Sequence, residues 1–472
     1  NIGSEDFQTN SGTGSEYTSN SVFGRVIYSY ADRYLFQANV RHDGSSRFAK
    51  GYRWGTFPSF SAGWVASEEK FMKNLKWDWL SFLKLRGSWG MLGNERIGSN
   101  YFPYIALMSF GNSLFYMADG SVVSDKTARP AVLAVEDITW ETTTSTDLGL
   151  DVNFLNNRLQ FHFDYYWKET KDMLLNIEIP YFMGYNNPST NAGKMSTHGY
   201  DIEVAWNDQI GDFKYGVNVN FSDFLSKIDY MNDGEQISGG KIKRAGVLFN
   251  EFYGYVCEGI YQTQEEVNNS ARTSTTVTVG DLKYRDISGP DGVPDGVISP
   301  EYDRVPLGNS LPRFQYGGSL NASYKGIDFS LAFQGIGKQN SYLSTSMVQP
   351  LRDNYGNVPA ILEGKYWSPF NTTEENLAAK YPRLSNVSKS NNYATSNFWM
   401  FNGSYFRLKN ITLGYTLPKS WTQKAGINRA RFYVSGSDLF CLSNFPSGWD
   451  PEMGTSDYPI TTSLVMGIQV NF

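Results

Sequence analysis

The chain is 472 residues long, is 16% aromatic and carries a formal net charge of −6. So much ring surface excludes a disordered chain, and an acidic balance with no basic patch excludes a nucleic-acid footprint. Two cysteines, Cys257 and Cys441, exclude a disulfide scaffold; no apolar run reaches the roughly 18 residues of a membrane helix, but membrane strands of about 10 alternating residues escape that test.

Asn1 to Asn20 is rich in Gly, Ser, Thr and Asn and reads as a loop rather than a secretory leader. After the turn Ala31-Asp32-Arg33, alternation begins: Tyr34, Phe36, Ala38 and Val40 interleave with Leu35, Gln37, Asn39 and Arg41. Period two sends successive side chains to opposite faces of a strand. The pattern returns after Asn156-Asn157, where Leu159, Phe161, Phe163, Tyr165 and Trp167 alternate with Gln160, His162, Asp164, Tyr166 and Lys168. It returns again at Phe213–Phe221 and, after Lys325-Gly326, at Ile327–Phe333. Each segment has one aromatic or aliphatic face and one polar face.

A soluble sandwich would alternate too, so the connections decide. Short turns follow one strand of each pair, near Asp32, Ser67–Leu80, Asn156, Asn207–Asp212, Gly326 and Leu417–Asn428. Long connections follow the other, at Asn94–Thr144, Leu225–Pro312 and Ser341–Ser404. Tight turns at one end and long loops at the other describe an outer-membrane barrel. Six turns joining two strands each, plus the terminal strand Ser463–Phe472, predict thirteen strands. Barrels of bacterial single chains have an even number, and plugged transporters have about 22. The expectation is therefore an all-β chain, residues 1–472, forming the C-terminal portion of a larger transmembrane antiparallel β-barrel. The plug and first strands would then lie outside it. The last strand, with Leu464, Met466, Ile468, Val470 and Phe472 on one face, resembles the signal read by barrel assembly machinery.

Four segments resemble the SusC/RagA group of TonB-dependent outer-membrane transporters. They are Tyr34-Leu35-Phe36-Gln37-Ala38-Asn39-Val40-Arg41-His42-Asp43-Gly44-Ser45-Ser46-Arg47-Phe48, Trp54–Trp64, Leu83–Gly90 with Gly93-Asn94 and Ile97-Gly98, and Tyr405–Tyr415. The resemblance implies active import of nutrient oligomers, oligosaccharides foremost and peptides in some members, across the bacterial outer membrane. It also implies a SusD-like surface lipoprotein as lid, and energy from TonB acting through an N-terminal part with a plug. A passive porin and a soluble glycan-binding all-β protein are the competitors.

Three sets of residues are candidate sites. Asp286, Asp291, Asp295, Glu301 and Asp303 lie in an Asp/Gly/Pro run that reads either as a calcium loop, since hard cations take several oxygens on a tight turn, or as a surface turn. An EF-hand-like run is common in the resembling group; here Val293 occupies a ligand position, Ser299 replaces an acid and Asp303 falls one place late. Tyr342, Trp367, Trp399 and Trp449, among loop aromatics that include Tyr101, Tyr104, Tyr185, Tyr355 and Tyr366, are candidates for ligand or lipoprotein contact, or else belong to the aromatic girdle at the membrane boundary or to loop packing. Inward charges such as Arg41, Lys168, Asp201, Glu203, Asp328 and Lys409 read as a solvated wall. His42, His162 and His198 have no metal-site spacing, and no nucleophile elbow or phosphate loop is present, so no catalysis is expected.

Overall fold

Thirteen strands form one antiparallel sheet, with each strand beside its sequence neighbour in that sheet. In this computed structural model the described residues are 14–472 except 76, 98–100, 233, 344, 351–356, 386 and 455–457. The strands are β1 (Ser19–Tyr30), β2 (Tyr34–Ser45), β3 (Trp54–Val65), β4 (Leu80–Asn94), β5 (Glu141–Phe154), β6 (Leu159–Asn176) and β7 (Ser189–Ile210). They continue with β8 (Phe213–Met231), β9 (Arg313–Tyr324), β10 (Ile327–Lys338), β11 (Tyr405–Thr416), β12 (Arg429–Ser443) and β13 (Ser463–Asn471). The predicted strand number is the observed one. The strands overrun their predicted ends: β8 runs on to Met231 rather than stopping near Leu225, and β7 reaches Ile210 before its turn. Alternation fades there because the strands leave the two-sided environment that produces it.

Register turns the alternation into two faces. One row of directly paired residues runs Tyr30, Tyr34, Trp64, Leu85, Leu150, Phe163, Ile202, Phe221, Tyr316, Gly335, Phe406 and Leu442. Apart from one glycine, it is apolar or aromatic throughout. The neighbouring row on the other face runs Lys84, Asp151, His162, Glu203, Asn220, Gly317, Gln334 and Arg407. A one-residue slip in any strand would exchange the faces, so the apolar row pins the register. Leu85, Leu148, Val204, Leu320, Leu413, Val434 and Met466 are exposed members of the apolar face, and no second sheet covers them. A sheet that leaves this face bare suits hydrocarbon rather than water.

The turns at one end are tight. Leu155, Asn156 and Asn157 all take positive φ, where Asn is tolerated best after Gly, and Gly326 follows Lys325 in the same region. β1 and β13 are the edges of the sheet, so each has one side of its backbone without a ladder partner. Among the described residues no helix is long and apolar enough to cross a membrane.

Buried cores lie in the long connections. Phe48, Ile97, Ile138 and Trp140, from the β2–β3 and β4–β5 connections, form one around Phe57 of β3. A Cβ on Gly93 would come within 2.0 Å of the Phe57 ring, so glycine is what admits that ring. A larger core gathers Tyr255, Leu282, Tyr284, Ile298, Met347, Val348, Leu362 and Trp399 from the β8–β9 and β10–β11 connections.

Candidate functional site

The β8–β9 and β10–β11 connections fold together into one lobe at the long-loop end of the sheet. Trp399 is its centre at 2% exposure, with Phe398 edge-on at 4.8 Å and Tyr393 stacked at 5.6 Å. Around that apolar core runs a buried polar cross-link. Asp281, fully buried, accepts from Arg383 Nε at 2.7 Å, from Asn392 Nδ2 at 2.9 Å and from the backbone N–H of Thr278 at 2.9 Å. Asn392 in turn accepts from the N–H of Leu282 at 2.9 Å, and its carbonyl receives Trp399 Nε1 at 2.8 Å. Asn391 donates to the Leu282 carbonyl at 2.9 Å, accepts from Thr273 Oγ1 at 2.6 Å, and its carbonyl receives the Tyr284 hydroxyl at 2.6 Å. Buried polar groups satisfied this fully are rigid and specific, whereas half-satisfied ones are costly. Burial pushes the Cys257 thiol up to about 11 and the Tyr342 hydroxyl up to about 12, and it raises Tyr284 and Tyr393 as well.

The four rings expected to stack on a ligand have different fates. Trp399 is enclosed. Trp367 is 9% exposed, lies where a Cβ on Gly280 would approach to 2.3 Å, and donates to Gln262 Oε1 at 3.2 Å. Both are packed into the lobe and help to hold it together. Tyr342 and Trp449 are half-buried at the edge of the same core. Tyr355 and Gly98 lie outside the described residues. Rings that stand free in the long connections include Phe370 at 95%, Phe182 at 89%, and Phe110 and Tyr458 at 80% exposure. The sequence carries no signal for them, because irregular loops have no periodicity that separates inside from outside.

The acidic run is tied largely to its own backbone. Asp303 is fully buried and spends both oxygens on backbone N–H groups: Ile287 at 2.7 Å, Ser288 at 3.3 Å and Ser299 at 2.7 Å. Asp286 Oδ2 accepts from Gly296 N–H at 2.7 Å, and its Oδ1 is buried with no hydrogen-bond partner. Asp295 turns onto the N–H of Val297 at 2.9 Å, while Asp291 and Glu301 are exposed. Calcium takes six to eight oxygens, and among the described residues no three acidic or imidazole groups converge as metal ligands would. The Asp/Gly chemistry closes the turn on itself.

The polar face is more organised than a solvated wall. Arg86 on β4 reaches across Gly149 to Asp164 on β6, with Nη2 to Oδ2 at 2.7 Å, and it pairs with Asp151 at 3.3 Å. A Cβ on Gly149 would lie 2.4 Å from that guanidinium, so the glycine makes its path. His162 Nδ1 sits 3.0 Å from Asp151. Arg431 reaches Asp328 with Nε at 2.9 Å. At the long-loop end Arg407, 3% exposed, binds Asp450 at 2.6 Å and Glu452 at 2.5 Å, while Lys409 binds Asp438 at 2.8 Å. Asp450 and Glu452 belong to the β12–β13 connection, so these bonds draw that loop inward and bring Trp449 onto the lobe. Register brings such partners together from positions far apart in sequence, where pairing is invisible.

A thirteen-stranded sheet with a bare apolar face, a charged opposite face, tight turns at one end and a packed loop lobe at the other defines an outer-membrane β-barrel protein. The model of the TonB-dependent receptor-like β-barrel matches residues 1–435, and the chain belongs to that family. TonB-dependent receptor P3 of Formosa agariphila is 31% identical over 96% of this chain and 45% of its own length. TonB-dependent receptor SusC of Bacteroides thetaiotaomicron is 30% identical over 96% of this chain and 43% of its own. The solved RagAB peptide transporter superposes with a TM-score of 0.77 at 25% identity, covering 97% of this chain and 48% of that one. The chain thus spans about half the length of the relatives it matches. The protein resides in the outer membrane, where bacterial barrels keep short turns on the periplasmic side and longer loops outside.

Proposed function

We propose that this chain is the lobe-bearing part of a TonB-energised importer of nutrient oligomers, working with a SusD-like surface lipoprotein as lid. The supporting observation is the extracellular lobe: two long loops spend a core of their own and a buried polar network on holding one shape above the charged inner face. A passive pore has no need of so large a preformed structure at its mouth. The remainder of the transporter, with a plug and the TonB contact, completes the machine. Oligosaccharides are the first substrate class, met by half-buried Tyr342 and Trp449 and by the free ring of Phe370, since flat rings stack on sugar faces. Peptides are the second reading, favoured by the likeness to the RagAB peptide transporter.

Gentle detergent extraction from outer membranes, with mass spectrometry of every co-purifying chain, tests this. Recovery of plug-bearing polypeptide and a lipoprotein is the expected result. Recovery of residues 1–472 alone as a closed, conducting pore overturns it in favour of a porin.

A further inference from the structure

Of the six periplasmic connections, 31–33, 155–158, 211–212 and 325–326 are tight turns, whereas 66–79 and 417–428 are longer. The first of the long ones carries large apolar side chains left in the open: Phe71 at 55%, Leu75 at 49%, Trp77 at 43% and Trp79 at 49% exposure. Phe71 and Leu75 are four apart on the short helix Lys70–Asn74 and its cap, hence on one side of it. In water such a patch is a liability.

Both ends of the connection are clasped to the lipid side of the sheet. At its start Glu69 accepts from the Tyr34 hydroxyl at 2.5 Å, from Arg33 Nη1 at 2.9 Å and from Trp64 Nε1 at 3.3 Å. Tyr34 and Trp64 belong to the apolar row. At its end Trp79 stacks on Phe154 at 5.8 Å, and Trp77 stacks on Trp79 at 5.3 Å. Phe154 pairs with Leu159, and Leu159 with Trp206, all on the same apolar face. The patch is therefore continuous with the membrane-facing surface instead of lying beneath the lumen. Lys70 and Lys73 sit on the same short helix. Long cationic side chains there can bury their stems and hold their ammonium groups at phosphate level.

We propose that residues 66–75, with Trp77 and Trp79, form an amphipathic anchor lying in the inner-leaflet interface of the outer membrane. Phe71, Leu75, Trp77 and Trp79 occupy the boundary between head groups and acyl chains, and Lys70 faces phospholipid phosphates, while Lys73 pairs with Glu68 at 2.5 Å. Glu69 is the clasp that fixes the direction of the segment. The occupant is lipid because the patch extends a surface that lipid already covers, and because aromatic and basic side chains together match that boundary.

The test uses the intact outer-membrane protein in nanodiscs. Brominated phospholipid quenches tryptophan on contact, and the W77F/W79F variant, which keeps ring stacking, should lose a clear part of the quenched fluorescence relative to wild type. Amides 70–75 should exchange more slowly in discs of phosphatidylethanolamine with phosphatidylglycerol than in pure phosphatidylcholine, and K70Q should abolish that difference. If W77F/W79F leaves the quenched fraction unchanged, the rings do not touch lipid and the proposal fails. Protection that appears only when periplasmic extract is added would assign the patch to a protein and overturn it equally. Neither readout depends on transport, so failure here leaves the importer reading standing.

Discussion

The extracellular lobe and the membrane sheet are built from the same aromatic-rich alphabet and use it in opposite ways. In the lobe, Trp399, Tyr284 and Leu282 turn inward around a buried Asp281–Arg383–Asn392 network, as in a water-soluble domain. In the sheet the apolar row, from Tyr34 to Phe406, turns outward, and the ion pairs of Arg86 and Arg407 turn inward. The difference lies in the solvent. Burying apolar area is favourable only against water, so a sheet surrounded by hydrocarbon gains nothing by hiding its rings but must hide its charges.

That contrast can be broken most strongly at the lobe's centre. Trp399→Ala should cost the lobe about 4 kcal/mol, the usual scale for emptying a large buried aromatic site. Hydrogen exchange should show amides of both long connections opening together while the sheet stays protected. Asp281→Ala comes next, at about 3 kcal/mol, because it strands Arg383 and Asn392 without their acceptor. Arg383 keeps some contact with water, which holds the cost to the lower end of that range. Loss confined to one connection would refute the single-lobe description.

On the sheet the sign reverses. Phe163→Arg places a charge on the lipid-facing row and should destabilise the folded protein in bilayers by about 2–4 kcal/mol. The reciprocal Arg86→Phe should also be harmful, but through orphaned Asp164 and Asp151 rather than through lipid. If Phe163→Arg proves neutral in chemical-denaturation measurements, the assignment of faces is inverted.

The gentlest probe is alkali. The hydroxyl of Tyr342 and the thiol of Cys257 have folded-state values raised to about 12 and about 11, both by burial in the lobe. A raised value favours the folded state below the unfolded one, near 10 for tyrosine and somewhat lower for cysteine. That stabilisation is lost as pH rises through the folded values. Near-ultraviolet dichroism of the lobe's tryptophans should therefore fade between roughly pH 10 and 12, before the far-ultraviolet strand signal. Simultaneous loss of both would mean that the lobe is not a separate cooperative unit.

Much of the sheet was legible. Strict alternation at Leu159–Lys168 exists only because the two faces meet different media, and the unequal connections state which end each strand reaches. Site residues were less so. Trp367 and Trp399 look like ligand-stacking rings in a loop, yet both are framework, while Phe370 gives no hint that it stands free. Asp303 sits in a pattern that serves a cation or a self-closing turn equally well, and its three backbone donors become visible only in the folded chain.

The sequence by itself determined strand number, face polarity and the all-β membrane class, because each is written in a local repeat of two residues and in turn chemistry between neighbours. Tertiary structure decided which loops merge into the lobe, which charges pair across the inner face, and that the 66–79 connection folds toward lipid. These depend on partners separated by as many as 140 positions, as between Cys257 and Asn397. No local pattern encodes such a meeting; it is set by the sheet that carries both loops to one end and by the cost of leaving either polar group buried alone.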